Sequence, residues 1–219
     1  MFAEQAIFTS LARRGKSGYH VVARSPGLTE SEANTVATWS PSHGGLIADP
    51  ANPVSLNFFP LPSGRYALAR TREGRAEYSG RGGRQLYTHA LILDAAFLGR
   101  AGYQPVALYR DALALGHFHY RADPDPVLHP VELSSLYPRR KADGAAGFTR
   151  DLGLSGIDTL VAQLDAGRPV VLPYPGDRLA LAEFLLGRLP ADAVMRTSFA
   201  TNLHPSSVRP YRLNLVAAG

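Results

Sequence analysis

Apolar residues recur at every second position in several short stretches of the chain and at every third or fourth in others, so strands and helices are both predicted. "EQAIFTS" (4–10) and "GYHVVARS" (18–25) read as strands, and the polar, basic "LARRGKS" between them suits a hairpin with a longer loop. Pro26-Gly27 then breaks the alternation, and "SPGLTESEANTVATW" reads as a turn followed by a helix. Thr29 can cap that helix, Glu32 completes a capping box, and Ala33, Val36 and Ala37 supply the apolar stripe. "SPSHGG" (40–45) is a loop. "VSLNFFPLP" (54–62), "RYALARTR" (65–72) and "LYTHALIL" (86–93) are successive strands, with Pro62-Ser63-Gly64 as the turn between the first two. The first half is therefore predicted to be a mostly antiparallel meander.

The pattern changes in the second half. "QPVALYRDALALG" (104–116) suits a short helix with Pro105 in its first turn. Residues 121–150 show little periodicity and read as an irregular excursion or linker. "SGIDTLVAQLDAG" (155–167) predicts a helix capped by Ser155, with Asp158 at the capping-box position. Its apolar face is Ile157, Leu160, Val161 and Leu164, and Gly167 is its stop. "RPVVLPY" reads as a buried strand, "DRLALAEFLLGRL" as an apolar helix, and "VMRTSFAT" and "RPYRLNLVA" as strands. The order strand, helix, strand from 168 to 200 predicts a crossover within a mixed sheet. The expected fold class is α+β: a mostly antiparallel, mixed sheet flanked by a few short helices. One domain over 1–219 is expected, with sub-lobes 1–120 and 151–219 joined by the irregular segment 121–150.

Composition narrows the function classes. At 219 residues and 45% hydrophobic content the chain can bury a sizeable core and is too apolar to be disordered. It has no cysteine, which excludes disulfides, thiol catalysis and cysteine-based zinc sites. No run approaches the roughly 18 apolar residues of a membrane span. The opening "MFAEQAIFTSLARRGK" lacks the charge order of a signal peptide, so a cytoplasmic location is expected. The net charge of +5 invites a nucleic-acid reading, but lysine occurs only as Lys16 and Lys141. The longest basic run is Arg139-Arg140-Lys141, after Pro138 and among turn-formers, and acids are spread throughout. Diffuse basicity is the better account.

The segment with the most chemistry is "YSGRGGRQLYTHALIL" (78–93). A phosphate loop would place its glycines before a helix and add a lysine. An arginine-glycine RNA-binding tract would repeat. Here a single glycine cluster precedes a strand, so a turn using positive φ is the favoured reading. That leaves Arg81 and Arg84 available to aim bidentate donors at a carboxylate or phosphate. Period-two alternation puts His89 on one face with Tyr87, Leu91 and Leu93, where a packed core histidine is the commoner role. His117 and His119 lie two apart, but Asp111 and Asp123 lack a recognised ligand spacing, so no metal is predicted. No Gly-x-Ser-x-Gly or His-Glu-x-x-His motif is present, "YPGDR" (174–178) reads as a helix cap, and no cofactor is expected.

Three segments together, "EQAIFTSLARRGKSGYHVVARSPGL", "YSGRGGRQLYTHALIL" and "MRTSFATNLHPSSVRPYRL", resemble a bacterial family. It is the N-terminal domain, second type, of the GTPase-associated proteins that accompany small GTPases in predicted conflict systems. The matching positions are Gln5, Thr9, Ser10, Gly18, Tyr19, Ser25 and Gly27, then Gly82, Arg84 and His89, then Ser198, Phe199 and Thr201. The resemblance implies a binding or adaptor role beside a small GTPase and other components of the same system. Gln5, Ser10, Arg84, His89 and Ser198 become the candidate ligand-binding residues, for a small anionic or nucleotide-like ligand. An alternative is an enzyme with His89 as general acid or base and Arg84 as anion clamp, served by Ser10, Ser25 and Ser198. A nucleic-acid binder would require a contiguous arginine surface.

Overall fold

The computed structural model describes residues 2–12, 15, 17–77, 82–133 and 145–218. β1 (Phe2–Ser10) and β2 (Tyr19–Arg24) pair antiparallel, forming the hairpin expected across the basic loop. β3 (Val54–Pro60), β4 (Tyr66–Ala76) and β5 (Arg84–Leu93) form the antiparallel meander, and β5 then pairs with β1. At the Pro62-Ser63-Gly64 turn Gly64 has φ +81°, a conformation that glycine adopts without steric penalty. The short β6 (Val131–Glu132) pairs with the first residues of β1.

Three further strands extend the sheet. β7 (Val170–Pro173), β8 (Phe199–Thr201) and β9 (Leu213–Val216) are mutually parallel, and β8 joins the meander antiparallel to β3. The strand order is β2-β1-β5-β4-β3-β8-β9-β7. The fold is α+β with a mixed sheet, as the hydrophobic pattern predicts.

Alternation along the strands gives the sheet two buried faces. One carries Ala67, Ala69, Ala90 and Ile92 against α1 (Glu30–Trp39) through Ala33 and Val36. Trp39, at the end of that helix, stacks on Phe59 with centroids 5.1 Å apart and meets Tyr211 edge-on. The other face carries Phe58, Leu68, Leu91 and Leu93. These pack with α2 (Ala95–Arg100), α3 (Pro105–Ala114), α5 (Leu154–Asp165) and α6 (Arg178–Leu186). The capping box of α1 forms as its sequence predicts: Thr29 and Glu32 exchange hydrogen bonds between side chain and backbone. Glu32 is fully buried and also accepts from Arg65 and Ser63. Burial pushes its carboxyl up, but the bonds from Arg65, Ser63 and Thr29 outweigh that and hold it at about 2.

Several local expectations are corrected. α5 begins at Leu154 with Gly153 as its cap residue, so Ser155 lies inside the helix, and Asp158 receives a bond from Arg188. The 194–201 segment is not a single strand. α7 (Ala191–Arg196) occupies its start, held by an Asp192–Arg196 pair one turn apart, and only Phe199–Thr201 is extended. α2 was not expected, because its six residues are too few to show a period. The excursion after residue 121 contains β6 and, from Ala145 to Leu152, α4. The Arg139-Arg140-Lys141 run and Arg81 lie outside the described residues.

Candidate functional site

Gln5 and His89 come from neighbouring strands and meet on the helix-rich face of the sheet. His89 lies opposite Ile7 of β1 and Arg70 of β4. Gln5 donates from Nε2 to the carbonyl of His129, which fixes its amide and leaves Oε1 to accept from His89 Nε2 at 2.8 Å. His89 therefore carries its proton on Nε2, and its buried Nδ1 has no partner among the described residues. The ring packs edge-on against Phe118 with centroids 5.4 Å apart. Burial, then the charges of Arg121, His119, His117 and Arg70, push its pKa down to about 3, so the imidazole is neutral at physiological pH.

The other candidates take different partners. Ser25 bonds the backbone of Gln5 in both directions, its Oγ accepting from the Gln5 amide and its own amide donating to the Gln5 carbonyl. Ser10 donates to Glu77 at 2.8 Å. Ser198 accepts from the Arg212 amide at 3.1 Å and helps lock β8 to the segment entering β9. Arg84 is largely exposed and pairs with Glu73 at 3.3 Å. It lies five positions from His89 along β5, on the opposite face and roughly 17 Å away at 3.3 Å per residue. Of the five ligand candidates, the structure brings together Gln5 and His89; Ser10 and Arg84 lie toward the far ends of β1 and β5, and Ser198 stands beside β8.

Arg84 instead borders a cleft of about 680 Å³ between the 43–50 loop and the ends of β4 and β5. Gly82 and Gly83 of the "GRGGR" stretch both have positive φ, as the turn reading requires. A Cβ on Gly83 would stand 3.1 Å from His43, so glycine also permits the loop's close approach. Arg70 and Arg72 line the same cleft, side by side on β4. The Arg70 Nη1 donates to the Phe118 carbonyl at 3.0 Å, while its buried Nε has no partner among the described residues. The Arg72 Nε donates to the Glu73 carbonyl, and its guanidinium lies 5.8 Å from the Tyr120 ring centre. The Arg-x-Arg of "LARTR" was the available signal for these two residues, but a strand reading alone treats it as a polar face.

The loop that closes this cleft is fastened from behind. Arg178, at the start of α6 and 1% exposed, pairs with Asp49 and donates to the Asn202 side chain and the Tyr174 carbonyl. The Arg178 bond holds the Asp49 carboxyl below its ordinary range. Asn202, with φ +63°, donates to the carbonyls of Ile47 and Asn52. A second cavity of about 400 Å³ lies on the far side, lined by Tyr109, Arg178, Thr201 and Asn202. The two histidines considered as metal ligands are engaged locally: His117 bonds the Glu132 carbonyl, and His119 sits between the Gly116 carbonyl and Arg121. Among the described residues, no three His, Asp or Glu side chains gather to hold a metal ion.

A family model described as GTPase-associated protein 1, N-terminal domain type 2, matches residues 2–133. The chain belongs to this family. Within this GTPase-associated domain the matched segment holds β1–β6 and α1–α3, and with them Gln5, Ser10, Arg84, His89 and the cleft arginines. Ser198, Phe199 and Thr201 lie beyond the match, in strand β8 and the residue before it. No curated protein and no solved structure matches the chain at a significant level. Among the described residues, no helix is long and apolar enough to cross a membrane.

Proposed function

We propose that this domain is a cytoplasmic binding and adaptor module of a GTPase-linked bacterial conflict or regulatory system. In this reading it docks a small GTPase and further components of the same system, and it holds a small anionic ligand on the arginines near Arg84. The observation that carries the reading is the family match over residues 2–133. The side-chain geometry supports it in a second way. Ser10, Ser25 and Ser198 are engaged in bonds that hold strands and loops, and His89 is a neutral, buried ring bonded to Gln5. Such bonds specify a rigid scaffold, and a rigid scaffold presents a docking surface with little entropic cost.

Co-purification tests this directly. The full chain, tagged and expressed with a small GTPase from the same genome, is expected to retain that GTPase through size exclusion in one nucleotide state. Failure to retain it with either GDP or a non-hydrolysable GTP analogue would contradict the proposal.

A further inference from the structure

The cleft beside β4 has the form of a ligand site. Its volume of about 680 Å³ lies within the range of small-molecule pockets. Leu46, Ile47, Pro50 and Pro53 give it an apolar wall, and Arg70, Arg72 and Arg84 give it a cationic one. Its two carboxylates are already committed, Asp49 to the buried Arg178 and Glu73 to Arg84. Arg70 and Arg72 have no carboxylate partner among the described residues, although an arginine brought partly out of water is normally paired. The Phe118 carbonyl fixes the direction of the Arg70 guanidinium, whose buried Nε has no partner among the described residues.

The spacing indicates which anion. Residues two apart on a strand share a face and stand about 6.6 Å apart. Two planar forks rooted that far apart on the strand can each take one of two linked phosphoryl groups, where a single phosphate or carboxylate would engage one. Arg84, on the other face of the sheet, keeps the Glu73 carboxylate paired at the rim of the cleft. The confining 43–50 loop, held in place by Asn202 and Arg178, favours a compact ligand over a continuous polymer backbone.

We propose that this cleft binds a diphosphate-bearing small molecule of nucleotide size, with Arg70 and Arg72 as the phosphate-binding side chains. The inference rests on the reading that the domain holds a small anion, and it adds the place and the chemical class.

Isothermal titration of the full chain with inorganic pyrophosphate at low salt tests it. The wild-type chain is expected to bind, and Arg72→Gln to weaken binding about tenfold or more, the loss expected for one charge-assisted contact. Its melting temperature should stay unchanged. Arg188→Gln, just past the end of α6, should bind as the wild type does. Arg70→Gln should lose binding in the same way, and if it fails to fold, Arg72→Gln still decides. Absence of pyrophosphate binding, or binding that Arg72→Gln leaves intact, overturns the proposal. Equal arginine-dependent affinity for orthophosphate or succinate removes the diphosphate while leaving a small-anion site. Tighter binding of a single-stranded oligonucleotide than of pyrophosphate overturns the proposal in favour of a nucleic-acid backbone. GTPase capture by wild type and Arg72→Gln, measured without pyrophosphate, separates failure of this inference from failure of the adaptor reading.

Discussion

His89 shows what a polar side chain does when strand alternation carries it into a core. Its Nε2 proton is held by Gln5, whose orientation is in turn set by the His129 carbonyl. Protonation of Nδ1 would place a charge beside Arg70 and Arg121 with no acceptor among the described residues to receive it. The folded state therefore binds this proton only near pH 3, whereas the unfolded chain binds it near 6.5. Its stabilising effect is complete above about pH 6.5 and is lost as the pH falls toward 3. Glu32, held at about 2, adds a second acid-sensitive contribution that fades only below about pH 4.3. Replacing His89 by Gln keeps a donor for Gln5 and removes the titration. Urea midpoints at pH 7 and pH 5 should fall less for His89→Gln than for wild type, and equal falls would remove the account of the buried imidazole.

At the level of elements, the strands were legible because alternation is imposed directly by burial on two faces. The α1 cap was legible because Thr29 and Glu32 bond each other locally. α7 and the start of α5 were not, since their boundaries depend on tertiary contacts that override short-range propensity. The candidate site follows the same division. The glycine turn could be read, but not that it would bring Arg84 into one cleft with Arg70 and Arg72, because a loop some 30 residues upstream forms the opposite wall. That loop is held by Arg178 and Asn202, which lie outside the matched segment. Arg178→Gln leaves Asp49 without its buried partner and should release the loop. Amide exchange at Ile47, which donates to the Asn202 carbonyl, is expected to speed up in that variant. Unchanged protection there would show that the loop stands without the clamp.

At the scale of the molecule, the sheet crosses the end of the family match without a break. β3, inside the match, pairs with β8, outside it, and Phe58 stacks on Phe199 across that join. The core that buries Leu68 and Leu91 also buries Leu181, Leu185 and Leu213. We propose on these grounds that both parts fold as one unit. A fragment ending at residue 133 would bare the β3 edge and a large apolar face, so it should aggregate or unfold without cooperativity. Cooperative unfolding of that fragment at the full-length midpoint would contradict the proposal. The central claim concerns what this unit docks. The decisive measurement is a titration of the full chain with a small GTPase from the same genome, loaded in turn with GDP and with a non-hydrolysable GTP analogue. The account predicts saturable one-to-one binding that differs between the two nucleotide states. No binding in either state would contradict it.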